Sequence, residues 1–292
     1  MPIARVNGVE IEHDAVGDPA DPTVLLFAGL GMQMIEWDPE FCRMIAERGF
    51  RVVRFDNRDA GLSTHLDVRV DVMAVLAAAG AGGDPGVPYT LTDMAEDAVG
   101  LLDHLGVERA HMVGVSMGGM IAQTVALNHR DRVRALVSIM SMTGDPDVGQ
   151  PTPEAITALL APPARDRDEA GEHKVHHAHT WGSPAFIDED RLRTVAARLW
   201  DRAHDPAATA RQLAAIFASG SRSDGLRRLD VPTLVIHGTE DTLIQPSGGE
   251  RTAEVVPDAK MLIVEGMGHD LPPQLWPRIV DAVTTHMTDH PG

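Results

Sequence analysis

A chain of 292 residues, 43% of them hydrophobic, can bury the core of one large α/β unit. Its 25 basic against 43 acidic side chains give a formal net charge of −18, which excludes nucleic acid and anionic membrane surfaces as partners, since both require clustered Lys and Arg. The single cysteine, Cys42, excludes an internal disulfide, and its apolar surroundings make it a small core residue; no apolar run approaches the ~20 residues needed to span a bilayer, and the opening residues lack the basic start of a signal peptide, so a soluble, cytoplasmic protein is expected.

In chain order, "VNGVEIEHDAVG" predicts a hairpin turning at Asn7-Gly8, so the first strands should be antiparallel. The apolar runs "TVLLFA" (23–28) and "RVVRFD" (51–56) have strand length. Residues 66–88 pass through "AAAGAGGDPGVP", whose Gly and Pro content marks a mobile loop. A helix follows in "TLTDMAEDAVGLLDHLG", with Thr90 and Asp93 as a capping box and Met94, Ala98, Leu101, Leu102 and Leu105 on one face. "AHMVGV" (110–115) and "RALVSIM" (134–140) are further strands, as are "PTLVIHG" (232–238) and "KMLIVEG" (260–266). Short apolar runs alternating with amphipathic stretches indicate βα units on a mostly parallel sheet with flanking helices. Residues 143–228 break this rhythm: they contain helical patterns and no convincing strand, and read as a helical cap inserted into a core formed by 1–142 and 229–292.

Gly114-Val115-Ser116-Met117-Gly118 matches G-x-S-x-G at the end of a predicted strand and the start of a predicted helix, the context in which that pattern lifts a nucleophilic serine above a sheet. A serine hydroxyl is a poor nucleophile until a base removes its proton and a third group orients the base. "TLVIHGTED" places Asp241, and "MLIVEGMGHD" places His269, in loops just beyond strand ends, giving the chain order Ser116, Asp241, His269.

These motifs, with "FAGLGM", "FDNRDAGLS", "VPTLVIHGTEDTLIQP" and "GMGHDLP" in the same order, resemble the serine-nucleophile α/β-hydrolase superfamily along nearly the whole length, and within it the actinobacterial-type esterases and lipases, including the aclacinomycin methylesterase branch. The resemblance implies an α/β-hydrolase fold, Asp241 as the acid and His269 as the base. It also implies an oxyanion hole built from the N–H groups of Leu30, in "AGLG", and Met117. Many members carry His-Gly where this chain has Ala28-Gly29; the backbone donor survives that change, but the support of a histidine side chain is missing.

Competitors exist for each role. Glu240 neighbours Asp241, and Asp145 or Asp147 follows the strand where some members place their acid. Among the histidines, His237 and His111 sit inside strands and read as structural, while "EHKVHHAHTW" (172–181) lacks the ligand set of a structural zinc site and reads as an exposed or cap-face helix. "DNRDAGLS" reads as a tight loop that shapes the site without contributing a catalytic atom. No metal or organic cofactor is expected. The expected reaction is hydrolysis of carboxylic esters of uncharged, apolar acyl groups through an acyl-enzyme. Thioesterase, lactonase, carbon–carbon hydrolase and cofactor-free perhydrolase chemistry would use the same triad. A non-catalytic ligand-binding module of the same fold is the reading of a different class, disfavoured because every triad element is present. Met32, Met267, Leu199, Trp200 and Phe217 are the expected substrate contacts, the last three from the cap.

Overall fold

The computed structural model describes residues 2–83 and 85–291. Strands β1 (Ile3–Val6) and β2 (Val9–Val16) form the expected hairpin, with Val6 paired to Val9 and positive φ at both Asn7 (45°) and Gly8 (79°), the geometry that matches strand twist in a two-residue turn. The sheet continues with β3 (Thr23–Phe27), β4 (Arg51–Phe55), β5 (Ala110–Val115), β6 (Val133–Ile139), β7 (Thr233–Gly238) and β8 (Lys260–Val264). Its eight strands lie in the order β1-β2-β4-β3-β5-β6-β7-β8, antiparallel as far as β4 and parallel from β4 to β8. This is the α/β-hydrolase architecture that the sequence predicts.

The alternation of side chains along buried strands divides the core into two layers. Leu25 and Phe27 of β3 face α3 (Leu91–His104) and α4 (Met117–Asn128), where they meet Met94, Leu101, Ile121 and Val125. Val24 and Leu26 face α1 (Pro39–Ala46) and α11 (Trp276–Asp289), meeting Phe41, Ile45, Ile279 and Val283. The capping box of α3 forms as expected: Asp93 Oδ2 accepts from Thr90 N at 2.7 Å.

Strand order reverses between β3 and β5: the chain leaves β3 for β4 on one side and returns to β5 on the other. In an open α/β sheet, the crevice at such a reversal, beyond the strands' carboxyl ends, is where ligands bind. The loop after β3 and the β5–α4 turn meet there.

One expectation needs correction. Within 66–88 the structure has a helix, α2 (Val72–Gly80), where a mobile loop is expected. "VMAVLAAA" is rich in alanine, and Asp71 caps the N–H groups of Met73 (3.0 Å) and Ala74 (3.1 Å); Gly80 ends the helix and the other Gly and Pro residues come after it. Asp84, in that later stretch, lies outside the described residues.

Between β6 and β7 run α5 (Pro153–Leu159), α6 (Arg167–Trp181), α7 (Glu189–Arg202), α8 (Ala208–Ser219) and α9 (Ser223–Leu226), with no strand among the described residues of 143–228. Buried ion pairs fasten these helices to the "DNRD" loop. Arg202 meets Asp56 (2.6 Å), and Arg211 takes Asp59 bidentately at 2.7 and 2.9 Å. No described helix is long and apolar enough to cross a membrane.

Removing one partner of a buried pair leaves an uncompensated charge, which typically costs about 3–5 kcal/mol, whereas exposed pairs contribute between about 0 and 1 kcal/mol. Asp59→Ala takes from the Arg211 side chain, 2% exposed, its bidentate partner and leaves it one ion pair, with Asp205, so it should lower the urea midpoint clearly. Asp281→Ala, which breaks the exposed Arg48–Asp281 pair, should barely move it. Equal midpoints for the two variants would contradict the ranking.

Candidate active site

Ser116 stands between β5 and α4 with φ 54° and ψ −123°, a conformation that a non-glycine residue holds only when its surroundings enforce it. The flanking glycines are required by close backbone approach. A Cβ on Gly114 would lie 2.2 Å from Gly118 O, and one on Gly118 would lie 2.1 Å from Phe27 O. The turn is pinned by Ser116 N donating to Ile139 O (2.9 Å) and by Ser141 Oγ donating to Ser116 O (2.7 Å).

Three loops converge here. His269 Nε2 lies 2.9 Å from Ser116 Oγ, and His269 Nδ1 lies 2.7 Å from Asp241 Oδ2. A carboxylate can only accept, so Nδ1 carries the proton and the Nε2 lone pair is left to accept from the Ser116 hydroxyl. The chain thus brings together the three residues singled out in its sequence.

Asp241 is 2% exposed. Burial opposes its ionisation, but the charge of His269 and hydrogen bonds from His237 and His269 outweigh this and hold the carboxyl down at about 2. The N–H groups of Leu243 (3.0 Å) and Ile244 (2.9 Å) donate to its other oxygen. His237, read from sequence as structural, donates from Nε2 to Ile244 O (2.7 Å) and so ties the Asp241 loop back to β7.

The competing acids lie elsewhere. Glu240 is exposed, and its backbone N donates to Met267 O. Asp145 accepts from Ser221, from Ser223 Oγ (2.6 Å) and from Arg251 (2.9 Å), and Asp147 pairs with Arg251. His111 is wholly buried, and burial pushes it down to about 3. In the histidine run of α6, His177 stacks on Trp181 with ring centroids 4.3 Å apart, and burial pushes it down to about 4. The metal-spaced group among the described residues is Asp59, His65 and Asp205, whose carboxylates are both already paired with Arg211.

The loop after β3 abuts the serine: a Cβ on Gly29 would lie 3.3 Å from Ser116 Cβ. Leu30 follows directly. Met117 is the first residue of α4, so its N–H has no acceptor within the helix, and α4 directs its positive dipole end at Ser116.

The expected substrate contacts separate. A cavity of about 860 Å³ between α2, α5, α6, α7 and α8 is walled by Leu199, Trp200, Leu213, Leu160 and Met73 and reaches Gly31, beside Leu30. Trp200 stacks on His204 there, centroids 3.7 Å apart. Met32 lies in the loop after β3, with Sδ 3.2 Å from Gly29 N. Met267 must be corrected: it is 0% exposed and packed into the layer with α1 and α11, which leaves it no surface for a ligand. Phe217 is half-buried on α8, one turn beyond Leu213, and is not on the cavity wall.

Other residues at the site were not singled out individually in the sequence. The end of α6 runs against the His269 loop, where His269 N donates to Trp181 O (2.6 Å), Gly268 N to Ser183 Oγ (2.9 Å) and Ser183 N to Asp270 Oδ1 (3.0 Å). Asn57 Nδ2 donates to Ala28 O (3.1 Å), and Gly31 N to Gln212 Oε1 (2.8 Å). Asn57 belongs to "DNRD", whose polar density was the available signal. For Gln212 the signal was a polar pair, Arg211-Gln212, on an otherwise alanine-rich helix.

Residues 22–273 match the family model of the alpha/beta hydrolase fold. The chain belongs to the α/β-hydrolase family. Among curated members it is similar to a rhodomycin D methylesterase of Streptomyces sp. strain C5, 28% identical over 98% of both chains, in keeping with the methylesterase branch that its motifs resemble. It is 30% identical to a putative carbamate hydrolase of Caulobacter sp. strain K31, over 92% of this chain and 91% of that one. Among solved structures, a meta-cleavage product hydrolase from Pseudomonas fluorescens IP01 shares the fold with a TM-score of 0.77 at 19% identity, over 99% of this α/β-hydrolase and 98% of that chain.

Because the Asp241 carboxyl is held below its unfolded value of about 3.9, its ionisation stabilises the folded state fully above that value, and the contribution is lost as pH falls through about 2. In urea titrations between pH 2 and 6, Asp241→Asn should be less stable than the parent at pH 6, and the gap should narrow towards pH 2. A gap independent of pH would overturn this account of Asp241.

Proposed function

We propose that this α/β-hydrolase cleaves carboxylic esters of uncharged, apolar acyl groups through an acyl-enzyme on Ser116. It is a carboxylic ester hydrolase, and the observation that carries the finer reading is the continuous Ser116–His269–Asp241 hydrogen-bond line, at 2.9 and 2.7 Å. His269 takes the Ser116 proton as Oγ attacks the acyl carbonyl, and Asp241 stabilises the imidazolium that forms. The N–H groups of Leu30 and Met117 hold the oxyanion, and His269 then protonates the leaving alkoxide. Water, activated by the same imidazole, repeats the addition on the acyl-enzyme and frees Ser116.

Acyl preference is assigned to the helical cap over residues 143–228. Leu199 and Trp200 face the cavity, and each methylene buried against such a surface is worth about 0.8 kcal/mol, several-fold in rate per carbon.

Ser116→Ala and His269→Ala should each abolish nearly all hydrolysis and combine non-additively, as members of one catalytic unit do. Asp241→Asn should be severe and Glu240→Gln mild. Fluorophosphonate labelling should vanish in Ser116→Ala. Ester hydrolysis that survives this substitution would sink the assignment.

Trp200→Ala and Leu199→Ala should change the dependence of kcat/KM on acyl length from acetate to octanoate. A profile that keeps its shape in both folded variants would remove the cap from specificity.

A further inference from the structure

The loop from Ala28 to Met32 commits its backbone groups in sequence. Ala28 O accepts from Asn57, Gly29 N faces Met32 Sδ (3.2 Å), Gly31 N donates to Gln212 Oε1 (2.8 Å), and Met32 N donates back to Gly29 O (3.2 Å). Between 29 and 32, the Leu30 N–H alone enters no turn or side-chain hydrogen bond among the described residues. The donor assigned above to the oxyanion is therefore the one that the loop leaves free.

Gln212 makes the contact that comes from farthest away. It lies on α8, is fully buried, and uses both ends of its amide: Oε1 accepts from Gly31 N, and Nε2 donates to Arg58 O at 2.8 Å. One side chain thus bridges the loop after β3 and the loop after β4. A buried amide is tolerated only when both ends are partnered, and the residues that share its face of α8, Ala208 and Ala215, are buried and apolar. What the amide adds is orientation. Gly31 has φ +67°, so the peptide on its N-terminal side is attached to a residue with wide rotational freedom and needs an external hold.

We propose that Gln212 is a positioning residue for the oxyanion hole: by holding the Gly31 N–H and the Arg58 carbonyl together, it fixes the 29–31 backbone so that the Leu30 N–H stays free for the tetrahedral oxygen. The inference rests on the reading of Ser116 as nucleophile and Leu30 as donor. It supplies the support that a loop histidine would give in relatives with His-Gly at 28–29. It also couples two parts of the fold, because Gln212 sits on the same helix as Arg211 and Leu213: α8 must be seated for the hole to be complete.

The test is Gln212→Met, which keeps length and removes both hydrogen bonds, with Gln212→Asn, too short by one methylene to span both partners, as the second variant should the first not fold. Hydrolysis of p-nitrophenyl acetate and butyrate is measured, with kcat expressed per active site titrated by a fluorophosphonate. Complete loss of one oxyanion donor typically lowers turnover by about 10²–10³, so a misplaced donor should lower kcat per titrated site by about 10- to 100-fold with KM little changed. The rate constant of phosphonylation should fall in parallel. A merely structural role would lower the titratable fraction or the melting temperature and leave kcat per site intact; that result overturns the proposal. If Ser116→Ala is inactive in the same assay, the nucleophile reading survives such a failure, whereas activity in Ser116→Ala overturns the reading itself.

Discussion

The constraint on which the site depends is the contact of three backbones at Ser116. β3, β5 and α4 approach so closely that the Cβ of an alanine at 114 or 118 would lie within 2.2 Å of backbone oxygen. Nothing but glycine fits, and the serine between them is forced to a positive φ. The order of about 1–3 kcal/mol stored in such a conformation is held by the strands on either side. In return, Oγ stands clear of the sheet, α4 presents its unpaired N–H groups to the same point, and the loop after β3 packs against the serine's Cβ. Ser116 and the N–H groups proposed as oxyanion donors are therefore fixed by main-chain packing, the stiffest element available.

The second organising feature is the buried charge of "DNRDAGLS". Asp56 accepts from Met34 N (2.7 Å) and Leu62 N (2.9 Å) and pairs with Arg202; Arg58 pairs with Asp97 (2.6 Å); Asp59 receives Tyr89 Oη (2.7 Å) and Arg211. Such groups are tolerable in the interior only as a satisfied set, so each one constrains the next. The helices between β6 and β7 join this network through Arg202, Arg211 and Gln212. Gln33 adds to it, donating to Leu199 O (2.9 Å) and Ala203 O (3.2 Å) at the end of α7. These helices are thus anchored on the side of the oxyanion loop and, through Ser183 and Trp181, on the side of the histidine loop. The cavity lies between the anchors.

What was legible in the sequence follows from the range of the interactions involved. Strands written as short apolar runs, the Asn7-Gly8 turn, the Thr90–Asp93 capping box and G-x-S-x-G lie in residues a few positions apart, and all were readable. Asp241 and His269 were readable because strand ends are, and the fold gathers strand ends at one edge. Helix α2 was missed because the Gly and Pro residues after it dominated the window, although Asp71 already marked its start. Met267 and Phe217 were misplaced because an apolar residue near a site loop or on a cap helix has the same sequence appearance whether it lines a cavity or fills the core; for Met267 it is the packing against α1 and α11 that decides. The roles of Gln212 and Ser183 were not legible because their partners are 181 and 85 residues away, at Gly31 N and Gly268 N; the Arg211-Gln212 pair marks a polar spot on α8 but not what it binds.

The electrostatics of the triad complete this division of labour. A carboxylate buried like Asp241 would ordinarily protonate, and would then no longer stabilise an imidazolium at His269. Two backbone N–H groups, from Leu243 and Ile244, satisfy one oxygen, and the other faces His269 at 2.7 Å and His237 Nε2 at 3.3 Å. The first pair comes from the turn that opens α10 (Pro246–Val255), itself secured by His237 Nε2 on Ile244 O. The Asp241 loop, like the loop that carries Leu30, is held from a distance by a buried polar side chain acting on backbone. Asp241 through His237 and, in the role proposed for it, Leu30 through Gln212 follow the same solution: both sit on loops, and a fully buried imidazole or amide behind each loop removes freedom that a loop would otherwise have.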